Sequence, residues 1–131
     1  MKGSFCLVIF AVLLSISVVY GAEPNHETIS RCFFVYAPIF EVGREIKNQE
    51  LFIYGQKRFV YIADYMKANN PEFNKVFEAN LQVNKQKGIA LGNRLKKAIY
   101  SRDINAFIQI MNIARNCDMQ LGLQSEDIPS P

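Results

Sequence analysis

The hydrophobic pattern divides the chain into one unbroken apolar run and four stretches of helical period. Residues 5–20 (FCLVIFAVLLSISVVY) are apolar almost throughout, follow the single charge of Lys2 and precede the small, polar stretch GAEPN. A charged start, an apolar centre and a small-residue exit predict a secretory signal peptide. Val19 and Gly21 meet the small-residue requirement at positions −3 and −1, which places cleavage after Gly21. Cleavage after Ala22 would leave the bulky Tyr20 at −3. The run falls short of the roughly 20 residues that span a bilayer as a helix. Cys6 lies inside the run and not just behind it, so the pattern gives no lipid-modified N-terminus.

Beyond the signal peptide, apolar residues recur every three or four positions, the period of a helix with one buried face. Ile29, Cys32, Tyr36, Ile39, Gly43 and Ile46 predict a first helix over residues 27–47, with Pro38 expected to kink or split it. Asn48 is a good cap for a second helix reaching Ala68, whose expected core stripe is Phe52, Gly55, Phe59, Ile62 and Met66. The break at 69–71 (Asn-Asn-Pro) sets Asn70 as cap and Pro71 as first residue of a third helix running to Tyr100. Its expected inner face is Phe77, Leu81, Asn84, Gly88, Leu91, Leu95 and Ile99. After a break at 101–103, Ile104, Phe107, Ile110, Met111, Ala114, Cys117 and Leu121 mark a fourth helix ending at Gly122. The polar, proline-containing remainder, residues 123–131, is expected to be disordered.

Four helices with short connections predict an all-α, up-down-up-down four-helix bundle over residues 22–122. Processing leaves two cysteines, Cys32 and Cys117, in an oxidising compartment. An even count without a CxxC or Cys/His cluster predicts a disulfide in place of zinc or thiol redox chemistry. The bundle topology independently sets the start of the first helix beside the end of the last, where these cysteines fall.

Charge changes this picture little. Without Lys2 the fifteen basic residues become fourteen against twelve acidic, a net of +2, too weak to predict a nucleic-acid partner. No acidic residue lies between Glu78 and Asp103, whereas Lys85, Lys87, Arg94, Lys96, Lys97 and Arg102 do. They form either a solvated helix face or a patch for an anionic partner such as a membrane surface, a polyanion or an acidic protein.

Candidate chemistry is sparse. His26 is the sole histidine and sits near the expected new N-terminus, so no Ser/His/Asp or Cys/His arrangement can be assembled. Glu41 and Glu45 share a helix face but lack the Glu-x-x-His partners of a di-metal bundle. No cofactor motif or metal-ligand set is legible. Two features remain. On the second helix Tyr54, Arg58, Tyr61 and Tyr65 form a stripe opposite the expected core face, suited to a partner surface because tyrosine is apolar at one end and polar at the other. On the third, Asn80, Asn84 and Gly88 set small and polar residues where a core would hold leucine, as a ligand pocket or a notch for a bulky neighbour would require. The expected function is therefore that of an exported, secreted or periplasmic, non-enzymatic binding protein presenting the tyrosine stripe to an unknown protein. A carrier of a small molecule near Asn80, Asn84 and Gly88 is the alternative, and a carboxylate enzyme the least favoured.

Overall fold

The computed structural model describes residues 25–131, and every regular element among them is a helix. They are α1 (His26–Glu45), α2 (Gln49–Lys67), α3 (Pro71–Ala79), α4 (Leu81–Tyr100) and α5 (Ile104–Gln120). The expected signal peptide, residues 1–21, lies outside the described residues. None of the described helices is long and apolar enough to cross a membrane.

Helix starts follow the polar caps. Asn48 accepts a hydrogen bond from the Leu51 N–H at 3.1 Å, Asn70 from Phe73 at 3.2 Å and Asp103 from Ala106 at 3.0 Å, each supplying an acceptor that a first turn lacks. Three of the turns share one device. Lys47, Asn69 and Arg102, each directly before its cap residue, adopt left-handed backbone with φ of 58°, 48° and 54°. The sharp reversal lets one helix end and the next begin within three residues.

The expected helix over residues 71–100 is corrected to two, giving five helices in place of four. Asn80 leaves helical geometry (φ −104°, ψ 3°) and its side-chain amide donates to the Val76 carbonyl at 2.9 Å. Asparagine competes with the backbone for its own hydrogen bonds in this way, which is why it favours helix ends. At Pro38 the chain does not split: α1 continues through it to Glu45. Proline leaves the Phe34 carbonyl without its donor four residues on. Gly88 of α4 packs against that carbonyl, close enough that a β-carbon there would sit 2.9 Å from the oxygen.

α1 is central, packing against each of the other four helices. Its tightest seam is with α2, where a β-carbon on Gly43 would lie 2.4 Å from the Phe52 nitrogen and one on Gly55 2.6 Å from the Phe40 nitrogen. On its other side α1 meets α4, which in turn packs on α5. Ile29, Tyr36, Ile39, Leu51, Ile62, Phe73, Leu95 and Ile110 form the innermost core. Cys32 and Cys117 meet at disulfide distance with Cα atoms 5.7 Å apart, joining the start of α1 to the end of α5.

Candidate functional site

Two places concentrate side chains that regular packing does not explain. The first is built around Asp118, one residue beyond Cys117 and wholly buried. Its Oδ1 accepts from the Tyr36 hydroxyl at 2.6 Å and from Arg58 Nε at 2.9 Å. Its Oδ2 accepts from the Tyr54 hydroxyl at 2.8 Å, Arg58 Nη2 at 3.2 Å and the Ser125 hydroxyl at 2.8 Å. One carboxylate thus ties α1, α2, α5 and the C-terminal segment together. Arg58 also lies over the Tyr54 ring, 3.7 Å from its centre, in cation–π contact. Burial, and then the hydrogen bonds to Asp118, hold the Tyr36 and Tyr54 hydroxyls far above the usual phenol range. Both are fixed as neutral donors.

The guanidinium has five N–H donors, and beyond Asp118 and the Tyr54 carbonyl (3.4 Å) they reach the tail. Arg58 donates in bidentate fashion to Asp127 (2.8 and 2.7 Å) and to the Gln124 carbonyl (2.8 Å). Asp127 is held below the usual carboxylate range by these bonds from Arg58. Leu123 and Ile128 pack on the core, and Pro129 is buried. The expected disordered tail is therefore corrected: without regular structure, residues 123–131 are nevertheless seated on the helices by charge and apolar contact.

The tyrosine stripe is consequently divided. Tyr54 (1% exposed) and Arg58 (5%) belong to the interior, a correction to their expected place on a partner surface. Tyr61 and Tyr65 are half-buried with rings 5.7 Å apart, and burial followed by the hydrogen bond with Tyr65 pushes the Tyr61 hydroxyl up to about 12.

The second place is where the expected core stripe of α2 went. Phe52 and Phe59 are only half-buried, Met66 is exposed, and the inner face is Leu51, Tyr54, Gly55, Arg58 and Ile62. Phe52 stacks on Phe40 (5.0 Å), Phe40 on Phe59 (5.9 Å), Phe59 meets Phe33 (5.3 Å), and Phe33 meets Phe34 (4.9 Å) and Phe77 (5.6 Å). All six rings are half-buried. Phe40, Phe52 and Phe59 stand apart from the central core and stack along the α1–α2 seam, and Phe34 joins them only through Phe33, which itself packs on that core. At Phe34 the strip opens onto a shallow cavity of about 320 Å³ between α1 and α4, bordered by Pro38, Gly88, Ile89 and Gly92.

The remaining expected sites are dispersed. Asn80 caps the α3–α4 junction. Asn84 borders a second surface cavity, with Arg31, Lys87 and Arg94, while Gly88 faces Phe34. The three therefore do not line one pocket. The basic residues divide likewise: Lys85 and Lys96 border the first α1–α4 cavity, Lys87 and Arg94 the second, which α1 and α5 also line, and Lys97 is exposed. Glu41 pairs with Arg44 at 2.6 Å and Glu45 with Lys96 at 3.3 Å, each on the surface. His26, near the expected new N-terminus, is half-buried with its ring edge-on to Phe73 at 5.8 Å. Among the described residues no group of three or more His, Cys, Asp or Glu side chains could hold a metal ion.

No protein-family model matches the chain, and no curated protein or solved structure is significantly similar to it. Fold and sites define a class: a small all-helical domain with a cysteine clasp, a buried carboxylate hub and a half-exposed phenylalanine strip.

Proposed function

We propose that this chain is an exported, non-enzymatic binding protein, and that its partner surface is the phenylalanine strip together with the adjoining cavity. Export rests on the signal-peptide pattern of residues 1–21, with secretion or periplasmic release following cleavage near Gly21, and on a cysteine pair suited to an oxidising compartment. The partner is a protein that offers an apolar face. The observation that carries the reading is that three phenylalanines, Phe40, Phe52 and Phe59, stack on each other outside the core instead of in it. Contiguous apolar surface on a small domain marks an interaction site, and aromatic side chains contribute disproportionately there.

The test uses the mature, oxidised protein carrying a photoreactive phenylalanine analogue. Placed at Phe59, it should form a discrete covalent adduct with a protein of the exported fraction. Placed at the exposed Gln82 of α4, it should not. Equal labelling from both positions, or none from position 59, removes the proposal.

A further inference from the structure

The tail sits on the helices as a bound peptide would. Residues 123–131 form no helix or strand, and one backbone hydrogen bond inside them, Ile128 N–H to the Ser125 carbonyl at 3.2 Å, fixes a single turn. What holds them is a set of anchors supplied by the cleft. Arg58 grips the Asp127 carboxylate through two parallel bonds and the Gln124 carbonyl through a third. Ser125 donates to Asp118, Ile128 packs on the core, and Pro129 is buried. Bidentate guanidinium–carboxylate pairing is directional as well as strong, so the cleft selects position as well as charge.

The charges match this reading. The cleft contributes Arg58 and Lys57 against Asp118, an excess of one positive charge, and the tail brings Glu126 and Asp127. Asp118 accepts four bonds from α1 and α2 before the tail adds a fifth, and it fixes Arg58 in place, with the Tyr54 ring beneath the guanidinium. The receptor half of the site is therefore pre-organised by the bundle itself, which lowers the ordering cost of binding. The left-handed Gly122 (φ 70°) separates α5 from the tail, so the segment can leave without unwinding the helix that carries Asp118.

We infer that the cleft around Arg58 is a recognition site for an extended acidic peptide of Ser-Glu-Asp-Ile-Pro type, and that the chain's own tail is its intramolecular occupant, competing with peptides of the same chemistry from other proteins. This site is separate from the phenylalanine strip and does not depend on its role.

The test is a titration of the full mature protein, followed through the Arg58 Nε–H resonance, with a synthetic peptide of residues 123–131. In the unaltered protein the tethered tail has a high effective concentration and keeps binding weak. Asp127→Asn removes the tail's charged anchor but leaves the cleft intact. This variant should bind the free peptide about tenfold more tightly than the unaltered protein does. A peptide carrying Asn in place of that aspartate should not shift the resonance. In the double variant Asp127→Asn/Arg58→Lys, which lacks the reporter N–H and is therefore titrated by calorimetry, binding should be abolished while a native helical spectrum is retained. If Asp127→Asn gains no affinity, or if both peptides bind it equally, the inference is overturned.

Discussion

Asp118 receives five hydrogen bonds, so the effect of removing it can be stated closely. Asp118→Ala would leave the Tyr36, Tyr54 and Ser125 hydroxyls without their acceptor and Arg58 with Asp127 as its one remaining carboxylate partner. Breaking a buried, hydrogen-bonded ion pair costs about 3–5 kcal/mol, and urea unfolding at neutral pH should show a loss of that size. A loss below about 1 kcal/mol would mean the cluster is not the hub described. The phenols give a second measurement. Because burial raises their folded values above the ordinary 10.0, Tyr36 and Tyr54 contribute stability that is complete below pH 10 and lost as pH rises beyond it. Phenolate absorbance at high pH should therefore contain a component that appears only together with unfolding. Asp127 acts at the other end of the scale. Its folded value lies below the ordinary 3.8, so its contribution is present above that pH and lost as the pH falls through the folded value. Hydrogen exchange along residues 123–131 should stay slow at pH 6 and accelerate below about pH 4, before the helices open.

At the scale of elements, the α1–α2 seam is set by two glycines. Gly43 and Gly55 each face the backbone of the partner helix, which cannot move aside as a side-chain tip can. Alanine at either position should cost about 1–3 kcal/mol, even though alanine is the better helix former. Gly92 is different, since a β-carbon there would approach the Pro38 ring at 3.3 Å, a distance that a slight shift relieves. Gly92→Ala should fall near neutrality. Thermal melts of the three variants will order them, and an equal effect at all three would contradict the close backbone approach. The same elements show what was legible beforehand. The caps at Asn48 and Asn70 were readable because capping is a contact between residues two or three apart. The break at Asn80 was not, because asparagine also stood on the expected buried face and the period continued on both sides of it.

For the molecule as a whole, the clasp between Cys32 and Cys117 closes a sequence separation of 85 residues. Limiting the unfolded chain in this way is worth about 4–5 kcal/mol in the chain-entropy model. Replacing both cysteines with serine should lower the melting temperature by more than ten degrees, on a scale where 1 kcal/mol shifts a domain of about this size by roughly 4–8 °C. The pairing could be read from composition alone, since export leaves two cysteines and no competing ligand set. Helical character, most helix ends and the covalent partner were determined by the sequence itself, because each depends on periodicity, neighbours or elimination. Which side of α2 faces inward was decided only by the tertiary structure. Both of its stripes are aromatic, and Arg58 made one of them look solvent-facing. That charge is buried because Asp118, 60 residues further along, comes to neutralise it. Once Tyr54 and Arg58 turn inward, Phe52 and Phe59 are carried to the half-exposed seam. The tail follows from the same pairing, since Arg58 has donors left over for Asp127. Neutralisation between residues so far apart in the chain leaves no local pattern, and so neither the phenylalanine strip nor the seated tail could be read from the sequence.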